Sequence, residues 1–320
     1  MQNEKLYVVS VISNPQKFKR RYELYYKYKK LMLVNEDVIL YTVELAIGQR
    51  DFVITINKNC PICSDVQSCC FCDKCHSIRV RSNSELWHKE NLINIGVAHL
   101  PEKWNYIAWI DADISFANTN WAKDTIEALQ HHHVVQLFQN AIDLGPNDEF
   151  LNKFDGFAYK FRTVDIKLLN KNYQNWHPGY AWACTKYAWN SFGGLIEFAI
   201  LGSADRSMVY SWIGLVEKSI PKGINKNYIE MLKAFQEKCN LSICRNIGYV
   251  NGTILHNFHG AKQNRQYGSR WQILVRNDFN PITDIKKNSQ GILEFTGNKP
   301  NLIFEINKYF IQRNEDSIDL

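Results

Sequence analysis

Read for its apolar and polar positions, the chain opens on LYVVSVI at Leu6–Ile12, a run rich in β-branched residues that predicts a buried strand. Asn14-Pro15 is a turn signal. Gln16–Met32, dense in Lys, Arg and Tyr, predicts a helix, and Val38–Glu44 (VILYTVE) a second strand. Strand, helix and strand in that order imply a parallel sheet with a right-handed crossover. Arg50–Thr55 reads as a short extra strand. Leu86–Leu100 has apolar residues at helical spacing and stops at Pro101, so it predicts a helix feeding the apolar strand Tyr106–Ile110. A helix at Trp121–His132 and a strand at Val134–Phe138 follow. Asn140–Asn175 is polar and reads as a long irregular loop, and order resumes at His177. Trp189–Gly194 turns the chain, a helix runs from Gly202-Ser203 to about Trp212, and Gly248–Phe258 reads as one strand. Leu302–Gln312 predicts an amphipathic helix, and the acidic end after it reads as a tail.

Candidate chemistry gathers at the ends of these elements. The strand Tyr106–Ile110 runs straight into Asp111-Ala112-Asp113. Two carboxylates two residues apart on extended backbone point to one side, and the C-terminal end of a buried strand faces the crevice where open α/β sheets bind ligands. Carboxylate oxygens suit Mg²⁺ or Mn²⁺. His256 and His259 lie three apart near a glycine and are followed by Lys262, Arg265 and Arg270, so they are candidates to complete a metal site beside phosphate-binding cations. His131-His132-His133 are consecutive and cannot all converge on one ion. Asp205, just after a Gly-Ser turn, is either a helix cap or a catalytic carboxylate, with the spacing favouring the cap. Glu44 at its strand end is either an exposed acid or a hydrogen-bond acceptor for a nucleotide. Trp176, Tyr180 and Trp182 suit either sugar stacking or the core.

Cysteine adds a second metal question. Cys60/Cys63 and Cys72/Cys75 form two C-x-x-C pairs, the spacing of a structural Zn²⁺ knuckle, although Cys69 and Cys70 leave the ligand set open. A chain of 320 residues, 45% hydrophobic, can bury a large core. Its net charge of +6 favours an anionic ligand such as a nucleotide without demanding nucleic acid. No signal peptide precedes the first strand, and no apolar run reaches about 18 residues. A cytoplasmic protein without a membrane span is expected, with thiols reduced or bound to metal.

The order of these pieces resembles that of the GT-A nucleotide-sugar glycosyltransferases, in particular the β-1,4-galactosyltransferase and polypeptide N-acetylgalactosaminyltransferase families. Glu44, then Lys89-Glu90-Asn91-Leu92-Ile93-Asn94-Ile95-Gly96, then Asp111-Ala112-Asp113 is similar to the series of a strand ending in Glu, an Asn-Arg-Ala-x-Leu-Leu-Asn-x-Gly helix and an Asp-x-Asp or Asp-x-His strand end. Phe192-Gly193-Gly194 and Gly202–Asp205 resemble a diverged Gly-Gly-Glu-Asp stretch that lacks the Glu. His256-Asn257-Phe258-His259 resembles the late His-x-x-His.

The resemblance covers roughly residues 5–262. It implies an α/β fold with a central mixed sheet flanked by helices, a GT-A domain at 1–275 with a Cys-rich insertion at 56–80, and a helical extension at 276–320. It implies a metal-dependent transfer of a sugar from a nucleotide-diphosphate donor, with UDP expected, to a hydroxyl on a glycan, protein or small molecule. Mn²⁺ or Mg²⁺ would be held by Asp111, Asp113, His256 and His259. Ser10, Glu44, Asn91, Asp111, Lys262 and Arg265 would contact the nucleotide, and Asp205 would be the base. The rivals are a zinc-containing nucleic-acid-binding protein, which the scattered basic residues disfavour, and a metal-dependent phosphohydrolase, which would need further clustered carboxylates.

Overall fold

The structure, a computed structural model, describes residues 4–54, 73–164 and 176–318. Its α/β architecture is the one expected: a central mixed sheet with helices on both faces. The first half supplies β1 (Leu6–Ser13), α1 (Lys19–Val34), β2 (Val38–Ile47), β3 (Cys75–Ser82), α2 (Lys89–Ala98), β4 (Tyr106–Ile110), β5 (Ile114–Phe116), α3 (Trp121–Ala128) and β6 (Val134–Gln136). Then come β7 (Asn140–Leu144), β8 (Phe150–Gly156), α4 (Phe157–Thr163), β9 (Trp176–His177), β10 (Ala181–Thr185), α5 (Lys186–Phe192) and α6 (Ala204–Trp212). The chain closes with α7 (Lys226–Ser242), β11 (Ile247–Tyr249), β12 (Thr253–His256), α8 (Trp271–Arg276), β13 (Ile285–Lys287), β14 (Leu293–Phe295) and α9 (Pro300–Gln312).

The main sheet has the order β11-β6-β10-β4-β1-β2-β3. β1 is parallel to β2 and β4, while β10 runs antiparallel to β4 and β6. Strand alternation sorts the core into two layers. Val9, Val43, Ile107, Trp109 and Trp182 face α2 and the helices α5–α9. Leu6, Val8, Leu40, Ala108 and Ala183 face α1 and α3, against Tyr25, Tyr28, Met32 and Trp121. A Cβ on Gly96 of α2 would lie 2.5 Å from Val9 Cγ1, so the glycine lets that helix sit down on the sheet. A second sheet, β5-β12-β7-β8-β9, continues from the C-terminal side of the first.

Several expectations are corrected. α1 starts at Lys19 because Asn14 accepts from the Phe18 amide through Oδ1 and donates to the Phe18 carbonyl through Nδ2, closing a turn. β2 runs past Glu44 to Ile47, so Glu44 lies inside the strand, and no strand forms at 50–54. Asn140–Asn175 holds the antiparallel pair β7–β8 and helix α4 where a loop was expected. Gly248–Phe258 is two strands in different sheets, divided at Gly252 with φ +136°. Cys60, Cys63, Cys69, Cys70 and Cys72 lie outside the described residues. Cys75 begins β3 and is buried in the core layer under α1.

Candidate metal centre

The site follows from strand pairing. β4 ends at Ile110, the Asp111 amide extends its pairing by donating to the Tyr180 carbonyl at 2.8 Å, and a turn closed by the Ile114 amide on the Asp111 carbonyl then takes the chain out of the main sheet. β5 then pairs antiparallel with β12 so that Ile114 faces His256. The next pair along that ladder is Asp113 and Asn257, and Asn257 donates to the Asp113 carbonyl through both its backbone amide and Nδ2, each at 2.8 Å. Residues 143 positions apart in sequence, Asp113 and His256, thereby become neighbours by register. The short loop that follows returns His259 to the same place.

Asp113, His256 and His259 each offer one ligand atom, and these atoms lie within 4.8 Å of one another. Asp113 Oδ2 is 2.8 Å from His259 Nε2 and 3.7 Å from His256 Nε2, and the two Nε2 atoms are 3.3 Å apart. Asp113 Oδ1 is buried with no hydrogen-bond partner. His256 Nδ1 donates to Asp143 Oδ1 at 2.8 Å, so Nε2 is the nitrogen that faces Asp113. Arg265 Nη2 donates to His259 Nε2 at 2.9 Å, so the guanidinium engages the lone pair of that nitrogen. Two imidazole nitrogens and a carboxylate with an unpartnered oxygen therefore converge, with the Arg265 guanidinium the cation set against them. One Asp and two His ligand atoms this close together fit a divalent metal, which at His259 Nε2 would replace the Arg265 contact.

The neighbouring carboxylates favour a proton on His256, which takes the position of a cation facing Asp113. Burial would lower His256, but Asp113 and Asp143 outweigh it and raise its pKa. Burial and the neighbouring Arg265 push His259 down to about 4, and it stays neutral. Burial would raise Asp113, yet the two imidazoles hold its carboxyl well below the usual range. Asp143, 1% exposed, is itself bonded by Tyr180 Oη at 3.1 Å and paired with Lys262. The stacked rings of His177 and Tyr180, 3.7 Å apart, wall this side of the site.

Beside the triad lies a cavity of about 180 Å³ at the C-terminal ends of β1 and β4. Lys89, Asp111, Asp113, His259, Trp87 and Glu315 are among its lining residues. The Lys89 ammonium pairs with Asp111, and that acid, with Glu90, keeps the lysine charged against its burial. Asp111 is thus answered by a fixed cation and stands outside the triad. Burial pushes the neighbouring Glu90 carboxyl up to about 8. Asp205 lies in the first turn of α6, where its Oδ1 accepts from the Arg206 amide. The residue flanking that turn is Ser203, so Asp205 is not the cap. Its Oδ2 occupies the space a Cβ at Gly179 would need, 2.4 Å away, and its charge reaches Lys89, Glu90 and Asp111.

Other expected nucleotide contacts are placed differently. Ser10 is 1% exposed inside β1 and is not among the residues lining the cavity. Glu44 Oε1 accepts from the amides of Val53 and Ile54, holding the loop after β2, and borders a separate cavity there. Asn91 donates to Glu197 and the Gly291 carbonyl and accepts from the Leu293 amide, tying α2 to β14. Lys262 and Arg265 are directed to Asp143 and His259. Trp176 and Trp182 are core residues, while Tyr180 supports Asp143. His132 bonds Asn246, away from the triad. Asp143, Lys89, Arg313 and Glu315 were not expected at the site. Of these, Asp143 carried a signal: in NAIDL the alternation puts Ala141 and Asp143 on the buried side.

No family model matches this chain, and no curated protein matches it in sequence. Among solved structures it is similar to Drosophila β-1,4-galactosyltransferase 7 with manganese, UDP-Gal and xylobiose, at 9% identity over 93% of this chain and 98% of that one, with a TM-score of 0.43. It is also similar to the galactosyltransferase LgtC with donor and acceptor sugar analogues, at 7% identity, 96% and 95% coverage and a TM-score of 0.33. A third is the glycosyltransferase GlyE of Streptococcus pneumoniae, at 11% identity, 78% and 45% coverage and a TM-score of 0.36. No helix among the described residues is long and apolar enough to cross a membrane.

Proposed function

We propose that this chain is a metal-dependent glycosyltransferase that moves a sugar from a nucleotide-diphosphate donor, UDP-linked in our reading, to a hydroxyl acceptor. The observation that carries the proposal is the convergence of Asp113, His256 and His259 beside a cavity at the strand ends, with Asp113 Oδ1 buried and unpartnered. Those three residues would hold Mn²⁺ or Mg²⁺. When bound, the ion supplies positive charge that offsets the charge developing on a departing nucleotide diphosphate. Asp143 fixes the orientation of His256, and Arg265, which now holds His259 Nε2, would yield that nitrogen to the ion. Lys89 brings a second cation into the cavity, where it can exchange its pairing with Asp111 for a donor phosphate. Asp205, across Gly179 from His177, takes the proton from the acceptor hydroxyl. The acceptor is a glycan, a protein or a small molecule. The unpaired thiols of Cys184, Cys239 and Cys244 favour a reducing setting such as the cytoplasm.

Turnover tests the reading. The protein is incubated with Mn²⁺ and a panel of nucleotide sugars, and free nucleotide is measured. Release of UDP from at least one UDP-sugar, lost on chelation and in Asp205→Asn when an acceptor is supplied, supports it. No release from any donor with any divalent metal overturns it.

A further inference from the structure

His256 has a carboxylate behind it, and so does His259. The backing group for His259 comes from the segment after α9. Glu315 is 2% exposed, and its Oε2 lies 3.9 Å from His259 Nδ1. Arg265 engages Nε2, and Nδ1 is the nitrogen turned toward Glu315. The distance is roughly 1 Å longer than an N–H···O hydrogen bond, so the contact is electrostatic as it stands. Arg21 Nε donates to Oε2 at 2.8 Å and Arg313 Nε to Oε1 at 2.9 Å, which fixes the carboxylate from two sides.

The backbone has been shaped for this approach. Gly260 has φ +83°, and a Cβ there would meet the Asn314 carbonyl at 2.8 Å and Glu315 Cα at 2.9 Å. The residue after His259 therefore lies directly against the segment that carries Glu315. One position later, Asp316 accepts from the amides of Lys19 and Arg20 through its two oxygens, at 2.9 and 2.8 Å, and anchors the segment on the first turn of α1. Arg313, Glu315 and Phe310 also line the cavity.

We infer that residues 313–316 belong to the metal centre, with Glu315 acting through its charge as the positioning residue of His259, where Asp143 holds His256 by a hydrogen bond. This rests on the metal-site reading above. Loss of a carboxylate that backs the second nitrogen of a histidine ligand weakens metal affinity by about 10–100-fold, and the longer Glu315 contact sets the lower end of that range here.

The test titrates Mn²⁺ alone into the full chain by calorimetry, without nucleotide, and follows folding by near-ultraviolet circular dichroism. Glu315→Asp keeps the charge between Arg21 and Arg313 but withdraws it from His259. It should remain folded and bind Mn²⁺ at least tenfold more weakly than wild type, and Glu315→Gln should bind no better. Asp316→Asn, which loosens only the contact with α1, should lower the melting temperature and leave Mn²⁺ affinity unchanged. A folded Glu315→Asp with wild-type affinity overturns the inference. Equal weakening by Asp316→Asn overturns it too, because the effect would then be general loosening. A wild-type protein that binds no divalent ion defeats the metal-site reading itself and this inference with it.

Discussion

Asp113 carries most of the argument at the scale of single residues, because its carboxylate, with one oxygen unpartnered, lies within ligand distance of two imidazoles. Asp143→Asn removes the carboxylate that fixes the orientation of His256, and Mn²⁺ affinity should fall by about 10–100-fold. Calorimetry checks this, and an unchanged affinity would mean the Asp143 charge does not tune the site. His88 gives an independent pH prediction. It is 3% exposed, its Nε2 donates to the Ser84 carbonyl, and burial pushes its pKa down to about 4. In the unfolded chain it takes its proton near 6.5. A base depressed on folding stabilises the fold above its unfolded pKa and loses that contribution as pH falls toward the folded one. The window is therefore pH 6.5 to 4, and the loss across it is about 3 kcal/mol. Denaturant unfolding of wild type and His88→Gln at pH 7 and pH 4 should show the difference between them shrinking by about that amount. The Asp111–Asp113 pair was legible in the sequence as chemistry. That Asp111 would be neutralised by Lys89 was not, because nothing in the motif specifies where a lysine twenty-two residues earlier will point.

At the scale of elements, legibility tracked how plainly burial marks the sequence. β1, β2 and β4 are covered on both faces and read as apolar runs. β7 escaped because one of its two inward positions is a charged residue, Asp143. A site residue thus hid the strand that positions it. β11 and β12 merged in the reading because only Gly252 marks the passage between sheets. The Gly96 position belongs here as well. Gly96→Ala should destabilise the fold by about 1–3 kcal/mol through overpacking against Val9 and Val43, despite alanine's better helix propensity. Equilibrium denaturation measures this, and a more stable variant would show that α2 can slide on the sheet. Thr185 caps α5 by accepting from the Ala188 amide at 3.1 Å, so Thr185→Ala should cost about 1 kcal/mol in the same assay.

At the scale of the whole molecule, the candidate site joins a turn after β4, the end of β12 and the segment after α9. The order of motifs pointed to the first two, since parallel strands bring their C-terminal ends to one crevice. The third had no local signature. Glu315 looks like part of an acidic tail until Arg21, Arg313 and Gly260 are seen around it. The central claim is that Asp113, His256 and His259 hold a divalent ion through which a nucleotide diphosphate is bound. Calorimetry of UDP binding, with and without Mn²⁺, in wild type and Asp113→Ala tests it most directly. UDP should bind wild type at least tenfold more tightly with Mn²⁺ present, and Asp113→Ala should remain folded and show no gain from the metal. The same gain in wild type and Asp113→Ala, or no gain in wild type, would contradict it.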